Sequence, residues 1–501
     1  MSTAAQLAGL GGAFGLAVLL LARHRLARLA GLGVWGGALG VLGVYLLPDL
    51  SRAMLVAGLV GGLAVAVGIA VLLRLRPYAL AFATLACLPL RIPVDIGSEE
   101  VNLLLPLYAV LGGLALSLGW ALVRDDERSR ELGPLAWPLA AFVAWTGLSL
   151  LWTVDVRRGA IFFGAFVLPF GLLAIGFARL PWRGRWLTWL WGGLVATALA
   201  FAAVGGYQWV TRDVFWNPSV EVFNAYAPFF RVNSVFWDPS VYGRYLTVAI
   251  LASLAGIVLG GVRGRRVLAL YAVVVATWIG LLLSFSQSSF VALAAGILMA
   301  VAVAWGRRTT LALVGLGAAT LVVCVAVPQI RDEVVGKSRA ELNRITSGRA
   351  NLVGQGVRIA RDHPVQGVGA GGFSREYARR LGIPGRDPKR VASHTTPVTV
   401  AAEEGVVGLG LLAWLVATAL LVTLRGLGRG FTSRVSLAIG IVLCAIAVHS
   451  VFYAAFFEDP MTWALFGLVG LASRVPRKPP VHTGIPPREP PVERPESVRA
   501  A

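Results

Sequence analysis

The chain has 501 residues, of which 57% are hydrophobic and only 14% charged, with a mean hydropathy of +0.74. Soluble domains carry about 25% charged residues, so this composition excludes an ordinary soluble enzyme. A formal net charge of +20 would suggest nucleic acid in a soluble protein, but here many of the arginines sit in short loops between apolar runs, where they set topology, and no nucleic-acid partner is expected.

Apolar runs of about twenty residues, the length that crosses a roughly 30 Å hydrocarbon core, recur along the chain. Candidate spans lie at 4–22, 29–47, 53–73, 77–96, 102–123, 134–152, 159–178, 186–207, 242–260, 267–285, 288–305, 309–328, 397–422, 435–456 and, short, at 459–473. Backbone groups in lipid must be satisfied within their own segment, and the ten-residue alternation of a transmembrane barrel is absent. The expected fold class is all-α: a polytopic transmembrane helical bundle of about 12–15 spans, filling 1–474. The first apolar run lacks a charged leader and a clear cleavage site, so it reads as a span. Cys87, Cys324 and Cys444 lie inside apolar runs without metal-ligand or disulfide spacing and read as small buried residues.

Basic clusters follow the odd-numbered spans: Arg23, Arg25 and Arg28; Arg74 and Arg76; Arg124, Arg128 and Arg130; Arg183 and Arg185; Arg263, Arg265 and Arg266; Arg307 and Arg308; Arg425, Arg429 and Arg434. Short loops after even-numbered spans are poorer in charge or carry acids such as Glu99, Glu100, Glu458 and Asp459. The positive-inside rule therefore puts odd-span exits in the cytoplasm and leaves two longer segments, 208–241 and 329–396, as extracytoplasmic loops. The tail, 475–501, is rich in Pro and Arg without apolar periodicity and reads as a disordered cytoplasmic end.

The loop 329–396 holds thirteen Lys or Arg against six Asp or Glu, a net of +7. Such a loop beside a membrane attracts an anionic lipid-linked substrate; the plain alternative is a solvated charged loop. Ser347-Gly348-Arg349 opens an expected helix over 350–361, which Asp362-His363-Pro364 ends. Next, Gly367-Val368-Gly369-Ala370-Gly371-Gly372 formally matches G-x-G-x-x-G, but no strand precedes it, so a dinucleotide site is rejected in favour of a tight turn or a backbone nest for a phosphate. Ser393-His394-Thr395 stands at the mouth of span 397–422, where a histidine can act as base or proton carrier, although a lone histidine is more often structural. Glu404 follows about 15 Å along the same helix, too far to touch His394, and is expected to pair with an arginine from another element. Two more polar spots fall at the same expected face. One is Arg231-Val232-Asn233-Ser234-Val235-Phe236-Trp237-Asp238-Pro239-Ser240-Val241-Tyr242-Gly243, part of which an interfacial aromatic belt would explain; the other is the hairpin Ser284-Phe285-Ser286-Gln287-Ser288-Ser289.

In this order, the spots resemble the O-antigen ligase and O-antigen polymerase superfamily of bacterial envelope proteins, over about 231–410. Arg231 to Gly243 is similar to the family's arginine–aromatic–Pro-Asn pattern, with Ser240 in place of Asn. Ser286-Gln287 stands where the family has Ser-Arg. Gly348-Arg349, His363-Pro364 through Phe373, and Ser393-His394-Thr395 with Glu404-Gly405 and Gly408 match the remaining pieces, Thr395 replacing an asparagine. The resemblance implies a glycan transferase at the outer face of the bacterial inner membrane. Its donor would be an undecaprenyl-diphosphate-linked glycan and its acceptor a glycolipid or a second glycan. Arg349 and His394 would be the catalytic residues, with Arg231, Gln287, Arg244 and Glu404 as substrate- or diphosphate-binding candidates. The outer loops show no Asp-x-Asp pair to hold a metal, so no metal or other cofactor is expected and fixed arginines would carry the leaving diphosphate. A ligase and a polymerase share these motifs. A lipid-linked glycan flippase, the competing class, would place its polar groups at mid-membrane in broken helices.

Overall fold

The computed structural model describes residues 2–47, 52–96, 99–124, 131–182, 185–215, 217–227, 229–259, 264–306, 308–309, 311–315, 348–382, 393–424 and 431–474. The chain is an all-α, multi-pass membrane protein. Ten of its described helices are long and apolar enough to cross a membrane. The expected span 309–328 falls almost wholly outside the described residues, as do 329–347, 383–392, Cys324 and the tail from 475.

In chain order, α1 (Ser2–Leu21), α2 (Arg25–Leu46) and α3 (Arg52–Leu75) come first. The first two cross at glycine: a Cβ on Gly15 would lie 2.7 Å from the Gly31 carbonyl, and one on Gly31 2.8 Å from that of Gly15. Small residues bring helix backbones together where lipid offers no hydrophobic drive. The expected fourth span is a correction. Only Ala79–Cys87 is helical (α4), and the chain then forms an antiparallel hairpin of β1 (Ile92–Ile96) and β2 (Glu99–Leu103), with Ile92 opposite Leu103. Pro89 and Pro93 forbid a continuous helix there, because proline lacks the N–H and clashes with the preceding turn.

Then come α5 (Leu105–Val123), the short α6 (Ala136–Ser149), and a rod of α7 (Val156–Ile161), a π-helical stretch (Phe162–Val167) and α8 (Leu168–Ala178). After α9 (Trp186–Thr211) and α10 (Pro218–Tyr226) follow the antiparallel helices α11 (Pro239–Val258), α12 (Arg265–Ser284) and α13 (Gln287–Trp305). Two helices lie in the long loop, α14 (Arg349–Asp362) and α15 (Phe373–Arg380). The chain closes with α16 (Thr396–Leu424), α17 (Phe431–Phe452) and α18 (Pro460–Arg474). At about 1.5 Å per residue, the 15-residue α18 is shorter than the bilayer core; it packs inside the bundle against α8, with Trp463 and Phe466 fully buried.

Among the described residues, Arg28, Arg74 and Arg124 of these clusters lie at one end with Arg179 and Arg474. Buried Glu131 is held between Arg28 at 2.5 Å and Arg179 at 2.9 Å, Arg474 reaches the Ala178 carbonyl, and Arg74 and Arg124 share the ring of Trp120. The opposite end carries the hairpin, the starts of α11, α13, α14 and α16, and the end of α17. That is where the polar spots of the sequence meet.

Candidate functional site

Arg231 is fixed before α11 begins. Its backbone exchanges two 2.9 Å hydrogen bonds with the Asn224 amide, and its Nε donates to the Ser284 carbonyl at 3.1 Å. The guanidinium lies 5.4 Å from the Phe223 ring centroid. Asp238 caps α11, accepting the Ser240 N–H at 2.6 Å. Arg231 and Asp238, which an aromatic belt alone left unexplained, are thus electrostatic neighbours: burial and Arg349 both work against the charge on Arg231, and Asp238 supports it.

Arg349 is the first residue of α14, after Gly348 at φ +85°. His394 precedes α16 and adopts left-handed backbone, φ +59°. That conformation is costly for a non-glycine residue, and such strain gathers at functional sites. All four non-glycine residues with positive φ among the described residues, Arg212, Ser234, Phe285 and His394, lie at this end. Ser393 fixes the turn, its buried hydroxyl bonded to the Thr395 N–H, the Thr395 carbonyl and the Thr399 hydroxyl. These bonds hold the backbone on both sides of His394.

His394 and Arg349 are both half-buried, and neither side chain has a hydrogen-bond or ion-pair partner among the described residues. Burial holds the His394 imidazole below its usual 6.5; Arg349 pushes the same way, and Asp238 pulls back. Arg231, Asp238, Arg349 and His394 therefore form one electrostatic group drawn from three segments far apart in sequence.

Other candidates take different places. Arg244 is 1% exposed, 2.5 Å from Asp459, bonded to the Ala455 carbonyl and 5.9 Å from the centroid of Tyr453. Buried and paired in this way, it holds the start of α11 to the start of α18. Gln287 itself is exposed at the start of α13, while its neighbour Ser288 turns inward to His449 at 3.1 Å. Glu404 is corrected too. Among the described residues it pairs with no arginine; its carboxylate accepts from the Thr146 hydroxyl at 3.0 Å, and its carbonyl from Trp145.

The glycine loop is a tight turn whose anion is the protein's own. Glu403 accepts the N–H groups of Gly371 and Phe373, each at 3.0 Å, so the expected phosphate nest is already filled. Val368 and Gly369 donate to the carbonyls of Ala402 and Glu403, and Val406 donates to that of Pro364, exactly where α16 breaks at Gly405. A separate apolar cluster of Ile359, Val368, Phe373 and Ala402 seals α14 and α15 to α16. This latch fixes the frame that carries Arg349. Gly405 has φ +68° and ψ −167°, essentially a glycine-only region, and a Cβ there would sit 2.0 Å from the Val365 carbonyl. Gly405→Ala is expected to destabilise the protein by on the order of 1–3 kcal/mol or more, whereas Gly410→Ala, with open space around it, stays within about 0.5 kcal/mol. Thermal unfolding of both variants in detergent checks this, and equal midpoints would refute the latch.

Sequence reasoning missed Arg91, Tyr453 and His449 as parts of this end. Arg91 donates to the Glu458 carbonyl at 3.3 Å and acts on Tyr453, whose phenol burial holds far above its ordinary range. Ionisable residues inside expected spans mark functional regions by default, and Arg91 and His449 carried that signal.

Residues 272–413 match the family model described as O-antigen ligase. No curated protein matches the chain. The matched segment includes Gln287, Arg349, His394 and Glu404, and Arg231 and Asp238 join them from outside it. Over that segment, which carries Arg349 and His394, the chain is similar to the O-antigen ligase family.

Proposed function

We propose that the protein transfers a glycan from an undecaprenyl-diphosphate carrier to an acceptor hydroxyl at the extracytoplasmic face of the bacterial inner membrane, as a ligase. One observation supports this reading: Arg349 and His394, both half-buried and without a hydrogen-bond or ion-pair partner among the described residues, interact electrostatically with each other and with Arg231 and Asp238 respectively. His394 takes the acceptor's proton as its oxygen attacks the anomeric carbon. The bond from sugar to diphosphate breaks, and the carrier diphosphate leaves with the bonding electrons. Arg349 and Arg231 stabilise the charge that develops on it. A polymerase would use the same steps with a second carrier-linked glycan as acceptor. A flippase is less well supported, because the backbone groups at the break in α16 are bonded by the protein's own loop. The test is glycan release from carrier lipid by purified protein. Carrier movement across a vesicle without transfer would favour the flippase.

Two further outcomes are expected. Cysteine placed at Ser338, which lies outside the described residues, should label from the periplasmic side, and cysteine at Ser433 only after the inner membrane is permeabilised. The reverse pattern would invert the topology. Transfer should also proceed undiminished in excess EDTA, because the sequence offers arginines and no carboxylate pair for the diphosphate. A loss that Mg²⁺ or Mn²⁺ restores would defeat the arginine-only account.

A further inference from the structure

At the end of the bundle away from the candidate site, α3, α5 and α8 stop around an opening of about 360 Å³. Small-ligand sites commonly enclose roughly 300–1,000 Å³. The opening exists because α4 begins only at Ala79, after the chain has turned through Pro77. Leu80, Leu114 and Leu118, all buried, form an apolar wall. Gly176 lets them close in, since a Cβ there would lie 2.6 Å from Leu114 and 2.8 Å from Leu80.

The rim is cationic. The Arg74 and Arg124 guanidinium carbons each lie 5.0 Å from the centroid of the Trp120 ring, so they are at most 10 Å apart. Both are exposed, and neither has a carboxylate partner among the described residues. Trp120 is 48% exposed between them. Arg179 also lines the opening, anchored behind it on Glu131 at 2.9 Å. Topogenic arginines and an interfacial tryptophan explain each residue singly. They do not explain two like charges held on one ring at the mouth of an apolar cleft.

We propose that this opening binds an anionic phospholipid, with its phosphate between Arg74 and Arg124 and the start of an acyl chain along Leu80, Leu114 and Leu118. Basic pockets between transmembrane helices take acidic headgroups, and Arg offers phosphate a planar fork of donors. The site is independent of the transfer reaction and stands whether or not that reading survives.

The experiment uses the full-length protein in nanodiscs and native mass spectrometry in detergent. Phosphatidylglycerol, phosphatidylcholine and inorganic phosphate are the probes. Phosphatidylglycerol should be retained and should raise the unfolding midpoint, and phosphatidylcholine should do neither. Arg74→Gln with Arg124→Gln should weaken phosphatidylglycerol binding roughly 30-fold, from two near-surface charges. Arg23→Gln with Arg25→Gln, at the same end but outside the opening, should leave it unchanged. Ala121→Phe, which narrows the opening with every arginine in place, should also lose the lipid. Equal retention by the Arg74/Arg124 variant, or an equal loss in the Arg23/Arg25 control, would overturn the proposal in favour of diffuse surface charge. An equal response to inorganic phosphate would assign the opening to a free anion. If no probe binds, the proposal is wrong.

Discussion

Replacing Arg349 with lysine is expected to lower glycan transfer by about 10²–10³, equivalent to about 2.7–4 kcal/mol, the usual cost of losing one preorganised donor to a developing anion. Arg349→Ala should be at least as damaging. The expectation begins with where this cation sits. Arg349 is the first residue of α14, at the positive end of the helix dipole, where a basic side chain is disfavoured by a few tenths to 1 kcal/mol. No carboxylate among the described residues offsets this. A buried or half-buried arginine with a structural job looks like Arg244, tied to Asp459 at 2.5 Å. Arg349 has no such tie, so its removal leaves no protein group unpaired, and the loss should appear in rate and not in folding. Lysine keeps the charge but gives a point cation where a diphosphate oxygen pair takes a planar fork. Transfer assays with unfolding midpoints and size exclusion in detergent separate the two effects. If Arg349→Lys transfers glycan at near wild-type rate, bidentate contact with the diphosphate is ruled out.

Much of this site was legible in the chain because its parts are short, polar and set against an apolar background. The helix expected at 350–361 appears at Arg349–Asp362, since its proline stop and apolar spacing are local signals. Arg231, Arg349 and His394 stood out for the same reason. What the sequence hid is pairing. The carboxylate of Glu404 looked like a partner for arginine, yet it faces the Thr146 hydroxyl on α6, a choice set by which helix packs behind α16. No local signal ties Glu403 to the glycine loop, yet Gly371 and Phe373 both donate to that carboxylate across about thirty residues of chain. The misplaced span at 77–96 has a different cause: hydropathy averages over Pro89 and Pro93, and those two residues turn a span into α4 and a hairpin.

Loss of His394 is expected to lower turnover by about 10²–10⁴ in His394→Ala, the range for removing a general base. The pH dependence then decides how the ring acts. Burial first, and Arg349 second, hold the imidazole below 6.5 against the pull of Asp238, so it is neutral at physiological pH and ready to accept a proton. A base must be neutral to work, so wild-type kcat/KM should be flat near neutrality and fall as pH drops through a value below 6.5. Removing a cation that depresses the ring, in Arg349→Ala, should move that acid limb upward in whatever activity remains. Removing the anion that supports the charged ring, in Asp238→Asn, should move it downward. If His394 instead grips the diphosphate as a cation, the slope reverses while the two variant shifts keep their direction: transfer rises as pH falls, and His394→Ala loses carrier-lipid affinity along with rate. A base leaves that affinity nearly intact, because it meets the acceptor hydroxyl and not the carrier. Direct binding of carrier lipid to His394→Ala, measured beside the pH profile, therefore separates the roles. An acid limb that ignores both Arg349→Ala and Asp238→Asn would show that the titrating group is not His394.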